Sequence, residues 1–161
     1  MSGPRPAAGT PALVLLQRAG VPHTVHSYDA VAGSSYGEAG ARALGVAAER
    51  MLKTLLVDLD GELVCAVVPV AGSLDLKALA AALGGKRAAL ADPARAERSS
   101  GYVVGGISPL GQRHRLRTVV DESAGLFDTV LVSGGRRGLS VELAPADLVE
   151  QTAAVVADVA R

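Results

Sequence analysis

Two apolar segments joined by a tight turn place the strongest constraint on how this chain can fold. The first segment spans residues 51–57 and the second spans residues 62–70. Between them, Asp60 and Gly61 form a typical hairpin turn. Both faces of the first segment carry apolar side chains, which is typical of an inner strand that is covered on both sides. We therefore expect a sheet that contains this hairpin and has other elements packed against both faces.

The rest of the chain mixes helical and extended patterns without a regular alternation. Helices are predicted from Pro11 to a stop at Gly20, over 36–44, from a cap at Ser73 or Asp75 to Gly84, over 92–98 and over 145–160. Further strands are predicted over 23–28, 87–91, 102–104, 116–120, 129–132 and 139–143. This order favours an α+β fold with a mixed or largely antiparallel sheet. The length of 161 residues suits one domain, which we expect over 10–161 after a flexible tail over 1–9.

The composition excludes several classes of protein. Sixteen basic and sixteen acidic residues give no net charge, so the chain does not bind nucleic acid by bulk positive charge. Three tyrosines and one phenylalanine are too few for an aromatic platform, and the single cysteine, Cys65, excludes a disulfide framework. The sequence has no metal or cofactor motif, no signal peptide and no apolar run of about 20 residues. We expect a cytoplasmic protein that uses no metal, no cofactor and no membrane.

Lys53 is the most unusual residue of the predicted inner strand. It shares its face with Met51, Leu55 and Val57, all of which are apolar. An ammonium group there is costly unless it meets an anion, a carbonyl group or a wet cleft. Two interpretations are open: Lys53 faces a cleft, or its long stem carries the charge out of the core to water. We expect the neighbouring Thr54 to satisfy its hydroxyl locally.

Two glycine-rich segments each follow a predicted strand. They are 105–111, which begins Gly105-Gly106-Ile107-Ser108, and Ser133-Gly134-Gly135. Successive backbone amides in such segments can bind an anion, which is either a phosphate or the oxyanion of an attacked ester. Ordinary turn chemistry is the alternative explanation for each segment.

Basic residues follow both glycine segments. The first group contains Arg113, His114, Arg115 and Arg117, and the second contains Arg136 and Arg137. Positive charge beside amide-rich loops favours a phosphorylated ligand. Solvated surface charge is the alternative explanation.

Several segments, taken in order, resemble one bacterial family. They include KTLLV over 53–57, PVAGSLD over 69–75, ADP over 91–93, GYVVGGISPLG over 101–111 and VSGG over 132–135. Together they resemble the YbaK/EbsC family of Cys-tRNA(Pro) deacylases, which is related to the editing domain of prolyl-tRNA synthetase. The resemblance covers about residues 10–160, and the long match over 101–111 is highly specific. It implies a single α+β domain with a curled, barrel-like mixed sheet and flanking helices.

The resemblance also implies an activity, partners and site residues. It implies removal of cysteine from mischarged Cys-tRNA(Pro), with prolyl-tRNA synthetase as a helper, and catalytic roles for Lys53, Gly105 and Gly106. Substrate binding is implied for Tyr28, Tyr36, Thr54, Ile107, Ser108, Ser133, Gly134 and Gly135. Two positions depart from the family pattern, because Tyr36 stands where Phe is expected and Ser140 stands where Asp is expected.

The family's implied chemistry needs no protein nucleophile. The thiol of the substrate cysteine attacks its own ester carbonyl and releases tRNA with a cyclic thioester, which agrees with the lack of a Ser–His or Cys–His pair. Two other functions remain open. One is a deacylase for alanine or other small residues on tRNA, and the other is a non-enzymatic module that binds nucleotides or tRNA 3′ ends.

Overall fold

The computed structural model describes residues 9–29 and 36–161, so residues 1–8 of the predicted tail lie outside it. The helices described there are α1 (Pro11–Ala19), α2 (Tyr36–Leu44), α3 (Leu76–Ala82), α4 (Pro93–Ser100), α5 (Pro145–Thr152) and a short 3-10 helix (Glu122–Leu126). The strands are β1 (Thr24–Ser27), β2 (Leu52–Leu59), β3 (Glu62–Pro69), β4 (Ala88–Leu90), β5 (Thr118–Asp121), β6 (Val130–Ser133), β7 (Leu139–Leu143) and β8 (Val155–Ala157). Within the described ranges no helix has the length and hydropathy needed to cross a bilayer.

The strands form two sheets, and the predicted α+β class is confirmed. One sheet has the order β4-β2-β3-β5-β8 and mixes antiparallel with parallel pairs. The other has the order β1-β7-β6 and is antiparallel. The two sheets meet at a single bridge between Met51 and Leu131. The sheet is therefore not closed, and this differs from the barrel-like curl that we expected.

The predicted hairpin of β2 and β3 lies inside the larger sheet. Asp60 and Gly61 both have positive φ values, 53° and 93°, as a two-residue hairpin of the correct twist requires. The Asp60 carboxylate accepts the backbone N–H groups of Lys86 and Arg87, and these bonds hold the pKa of Asp60 below its usual value. Apolar clusters cover both faces of the hairpin, as predicted for an inner strand.

Two element predictions are wrong. Residues 102–104 form no strand, because Tyr102 is buried with its hydroxyl donating to the Leu110 carbonyl at 2.6 Å, and glycines with positive φ flank the segment. The last helix does not continue to residue 160. It ends at Thr152, where Ala153 adopts a left-handed φ of 51°, and the chain then adds β8 to the sheet beside β5. In both places long-range packing determines the local conformation.

A gap in the strand pairing opens one edge of β2. Strand β4 pairs with β2 only over Val57–Leu59, and β6 reaches β2 only through the bridge at Met51. Among the described strands, none therefore lies beside this edge of β2 at Lys53 and Thr54. The gap leaves room for a cavity in the middle of the fold.

Candidate functional site

A cavity of about 410 Å³ occupies the gap beside β2. Strand β2 supplies Lys53 and Thr54 to its wall, and the first glycine segment faces them with Gly105 and Ile107. The smaller sheet and the chain just after β1 close the remaining side with Tyr28, Ser133 and Ser140. The structure thus brings together residues that lie more than 100 positions apart in the sequence.

Lys53 lies on the cavity wall and is half-buried. Within residues 9–29 and 36–161, its ammonium group has no ion-pair or hydrogen-bond partner. An ammonium group with neither full hydration nor a carboxylate partner favours an incoming anion or carbonyl oxygen. Of the two interpretations of Lys53, this placement favours the cleft.

The hydroxyl of Thr54 is buried and has no hydrogen-bond partner in the described part of the chain. Our expectation that it is satisfied locally is therefore wrong. Leaving a buried hydroxyl unpaired costs about 1–3 kcal/mol. An unpaired polar group in a cavity wall indicates a place where a ligand group can bind.

The two glycine segments, which the sequence separates by more than 20 residues, pack against each other. The Ser133 hydroxyl donates to the Gly106 carbonyl at 3.0 Å and accepts from the Gly135 N–H at 3.1 Å. A Cβ atom at residue 106 would lie 2.7 Å from the Arg136 Cα, so only glycine fits there. The two loops therefore form one structure.

Two side chains hold the first glycine loop in place. A carboxylate oxygen of Glu97 accepts the Val104 N–H at 2.8 Å, and the Arg137 Nε donates to the Val104 carbonyl at 2.8 Å. These bonds fix Val104, the residue just before Gly105. Gly105 itself has a φ of 90°, which turns the loop toward the cavity. Glu97 was not predicted from the sequence, because a lone carboxylate on a helix carries no signal until its partner is known.

Some predicted site residues do not line the cavity. Ser108 is fully buried, and its Oγ accepts the Leu110 N–H at 3.2 Å. Gly134 is buried with its carbonyl accepting the Thr10 hydroxyl at 2.7 Å, and Gly135 has a φ of 110° and packs on Thr10 and Tyr102. Gly106 is buried as well. These residues support the loops from behind. The side chain of Tyr36 lies outside the part of the chain that the structure describes.

Ser140, at the position where the resemblance leads us to expect Asp, lies in the cavity wall. It is buried, and on β7 it pairs with Ser133 on one side and His26 on the other. The carboxylate on the same face of β7 is that of Glu142, two residues further on. Its oxygens bind Thr129, His26 and Arg50, which hold the pKa of Glu142 below its usual value. Because the Glu142 carboxylate is bonded to these partners, the group that the wall presents at this position is the neutral hydroxyl of Ser140.

The arrangement suits stabilisation of a negatively charged oxygen better than attack by a protein nucleophile. The described residues of the wall include one cation, Lys53, and no histidine or cysteine. Cys65 is fully buried outside the cavity, and burial raises the pKa of its thiol to about 12. A cation and a glycine amide can polarise an ester carbonyl that lies between them.

Comparisons with known proteins relate the chain to aminoacyl-tRNA editing proteins. The sequence profile of the aminoacyl-tRNA editing domain family matches residues 32–150. EbsC of Enterococcus faecalis, which carries the provisional name Cys-tRNA(Pro)/Cys-tRNA(Cys) deacylase, is 32% identical over 89% of this chain and 88% of its own length. The Ser/Thr-tRNA deacylase ProXp-y of Escherichia coli is 30% identical over 84% of this chain and 82% of its own length.

Solved structures share the fold. The crystal structure of a hypothetical protein superposes with a TM-score of 0.83 at 28% identity and covers 94% of this chain and 99% of that protein. A provisionally named trans-editing enzyme for prolyl tRNA synthetase superposes with a TM-score of 0.83 at 22% identity, with 99% of both chains covered. The two-sheet architecture is thus one that experimentally solved proteins adopt over nearly their whole length.

Proposed function

This chain belongs to the aminoacyl-tRNA editing domain family, and we propose that it is a trans-editing deacylase that removes cysteine from mischarged Cys-tRNA(Pro). The observation that carries the proposal is the position of Lys53, a cation without an ion-pair partner among the described residues, in a cavity that the first glycine loop faces. The relation to EbsC supports cysteine as the amino acid.

The proposed reaction proceeds by attack within the substrate. The cysteine thiol loses its proton and forms a bond to its own ester carbonyl carbon, and the bond to the ribose oxygen of tRNA breaks. The ribose oxygen takes up a proton, and a four-membered thioester leaves with free tRNA. Lys53 and the Gly105 amide stabilise the charge on the carbonyl oxygen, and the cavity holds thiol and carbonyl close together.

The proposed partners rest on the charge of the protein and on the family resemblance. With no net charge, the protein alone binds tRNA weakly and with little sequence preference. We propose that prolyl-tRNA synthetase supplies recognition of tRNA(Pro). Adding the synthetase should then raise the apparent affinity for the charged tRNA, and an unchanged binding curve would contradict this partnership.

Replacement of Lys53 tests the catalytic assignment. We expect Lys53→Met, which keeps the length of the side chain and removes the charge, to lower kcat/KM for Cys-tRNA(Pro) about 100-fold or more. Lys77→Met is the matched control, because Lys77 is an exposed lysine on α3 and does not line the cavity. Full activity of folded Lys53→Met would overturn the assignment.

A second candidate substrate has support from the cavity wall. Thr54, Ser133 and Ser140 all contribute to the wall, and such hydroxyls suit a hydroxylated amino acid. The relation to the Ser/Thr-tRNA deacylase points the same way. A panel of Cys-, Ser-, Thr- and Ala-charged tRNA separates the candidates, because only attack by a substrate thiol favours cysteine strongly over the other three. Equal rates on Ser and Cys would exclude the thiol route.

A further inference from the structure

Arg113 and Arg136, one from each basic group of the sequence, flank the segment that leads into the first glycine loop. On one side, the Arg113 N–H donates to the Ser100 carbonyl at 2.9 Å, and its side chain lies against Gly101, four residues before the first glycine loop. On the other side, the backbone of Arg136 packs against Gly106. Residues 101–106 therefore run between Arg113 and Arg136, and Val104 and Gly105 of this segment line the cavity.

The charges of Arg113 and Arg136 remain available at the surface. Both residues are exposed, and no carboxylate of the described chain lies within ion-pair distance of either one. Arg117, from the same sequence group as Arg113, differs because it pairs with Glu62 at 3.1 Å. The acidic residue next to the loop, Glu97, is bonded to the Val104 N–H.

An apolar surface lies between the two arginines. Val103 is 51% exposed and Val104 is 39% exposed, and Val104 also lines the cavity. A free phosphate ion would gain nothing from such a surface. A nucleic-acid strand presents phosphates along its backbone and apolar sugar and base faces beside them, so it fits both features.

We propose that Arg113 and Arg136 bind backbone phosphates of the single-stranded RNA end whose terminal ester enters the cavity, with Val103 and Val104 against its sugars and bases. This inference rests on the proposed function, because it takes the RNA to be the charged tRNA. It assigns tRNA contact to the loop itself, although the protein as a whole carries no net charge.

Salt dependence of tRNA binding tests the surface. We expect Arg113→Gln and Arg136→Gln each to weaken tRNA binding about fivefold at physiological salt. Each change should lower the slope of log K against log salt concentration by about 0.7, the value for one phosphate contact on a single strand. Lys77→Gln, an exposed lysine of α3, is the control and should leave the slope as it is in the wild type. Equal slopes for wild type, Arg113→Gln and Arg136→Gln would overturn the proposal.

A substrate without phosphates separates this proposal from the proposed function. The double variant combines Arg113→Gln with Arg136→Gln. Relative to the wild type, we expect its kcat/KM to fall far less for cysteine esterified to adenosine alone than for Cys-tRNA(Pro). Equal losses on both substrates would overturn the phosphate surface and leave the deacylase assignment intact. If the wild type cleaves neither ester but the salt slopes still fall in the variants, the deacylase assignment fails and the RNA-binding surface stands.

Discussion

Two cavities of this protein differ in the state of their polar groups. The cavity beside β2 measures about 410 Å³ and contains the ammonium of Lys53 and the hydroxyl of Thr54, neither of which has a partner among the described residues. A second cavity of about 620 Å³ lies near the chain end, and Asp121, Asp158 and Arg161 line it. Asp121 accepts hydrogen bonds from Ser123, Val159 and Ala160, and Asp158 pairs with Arg161 at 2.8 Å.

Two further carboxylates of the larger cavity, Glu49 and Glu122, are exposed to solvent. The buried carboxylate of the larger cavity, Asp121, is thus paired within the fold, whereas Lys53 and Thr54 of the smaller cavity have no partner among the described residues. Unpaired buried groups lower stability, so a fold keeps them where a bound ligand completes their contacts. Paired groups stabilise the fold and leave little for a ligand to gain. The comparison indicates that the state of the polar groups is a better guide to a functional cavity than its volume.

The largest expected effect on stability comes from a substitution in the second cavity. Asp121→Asn keeps an oxygen for the N–H groups of Val159 and Ala160, but its amide group cannot accept from Ser123. We expect urea unfolding to show a loss of about 2 kcal/mol, with deacylation per folded molecule unchanged. Asp128→Asn, at an exposed position nearby, is the control and should cost little. Loss of deacylation in folded Asp121→Asn would show that the second cavity takes part in function.

Asp121 should also make the stability depend on pH. Burial by itself raises the pKa of this carboxyl, but the hydrogen bonds from Ser123, Val159 and Ala160 outweigh burial and hold the pKa below the ordinary 3.8. A depressed pKa contributes stability above the ordinary value, and this contribution is lost as the pH falls through the folded-state pKa. Unfolding measured at pH 5 and at pH 3 should show a larger decrease in the wild type than in Asp121→Asn. Equal decreases would contradict this contribution.

The next expected effect is a gain in stability, and it comes from a change in the cavity beside β2. Thr54→Val replaces an unpaired hydroxyl with a methyl group of similar size, so we expect a gain of about 1 kcal/mol in unfolding free energy. We expect deacylation to fall about tenfold, because the hydroxyl is no longer present for the substrate.

Thr118→Val is the matched control for Thr54→Val. Thr118 is also buried, but its hydroxyl donates to the Leu116 carbonyl at 3.0 Å. This change should therefore cost about 1 kcal/mol and not add stability. If both valine variants lose stability to the same extent, the difference between a paired and an unpaired hydroxyl is not the cause.

The smallest effect is expected at Leu126, an 80% exposed side chain that also lines the second cavity. Leu126→Ser removes little buried area, so unfolding free energy should change by less than about 0.5 kcal/mol. Deacylation, with and without prolyl-tRNA synthetase, should equal that of the wild type. A weaker response to the synthetase would identify the second cavity as a protein contact. The cavity beside β2 would then not be the only functional one of the two.

Features that depend on neighbouring residues in the chain were predictable from the sequence. The turn at Asp60 and Gly61 follows from the backbone preferences of those two residues, and Thr10 caps α1 through its own side chain. Lys53 stood out because strand alternation alone places it among apolar neighbours. The family resemblance then related these residues to an activity, and the comparisons confirmed the family.

Features that depend on distant contacts were not predictable. The extended conformation of β8 depends on pairing with β5, and its valines alone do not distinguish a strand from a continued helix. The contact between Gly106 and the backbone of Arg136 needs two loops to meet. The unpaired hydroxyl of Thr54 depends on the absence of a neighbouring strand in the described fold, which no local pattern of residues encodes.

The incomplete pairing of β2 has a consequence for how such a protein can change its substrate. The width of the opening depends on where β4 stops at one end and where β6 crosses at the other. One more hydrogen-bonded pair on β4 would narrow the entrance, and one fewer would admit a bulkier acyl group, with every side chain of the wall retained. Selectivity in this architecture can therefore evolve through the lengths of two edge strands that contribute no catalytic group.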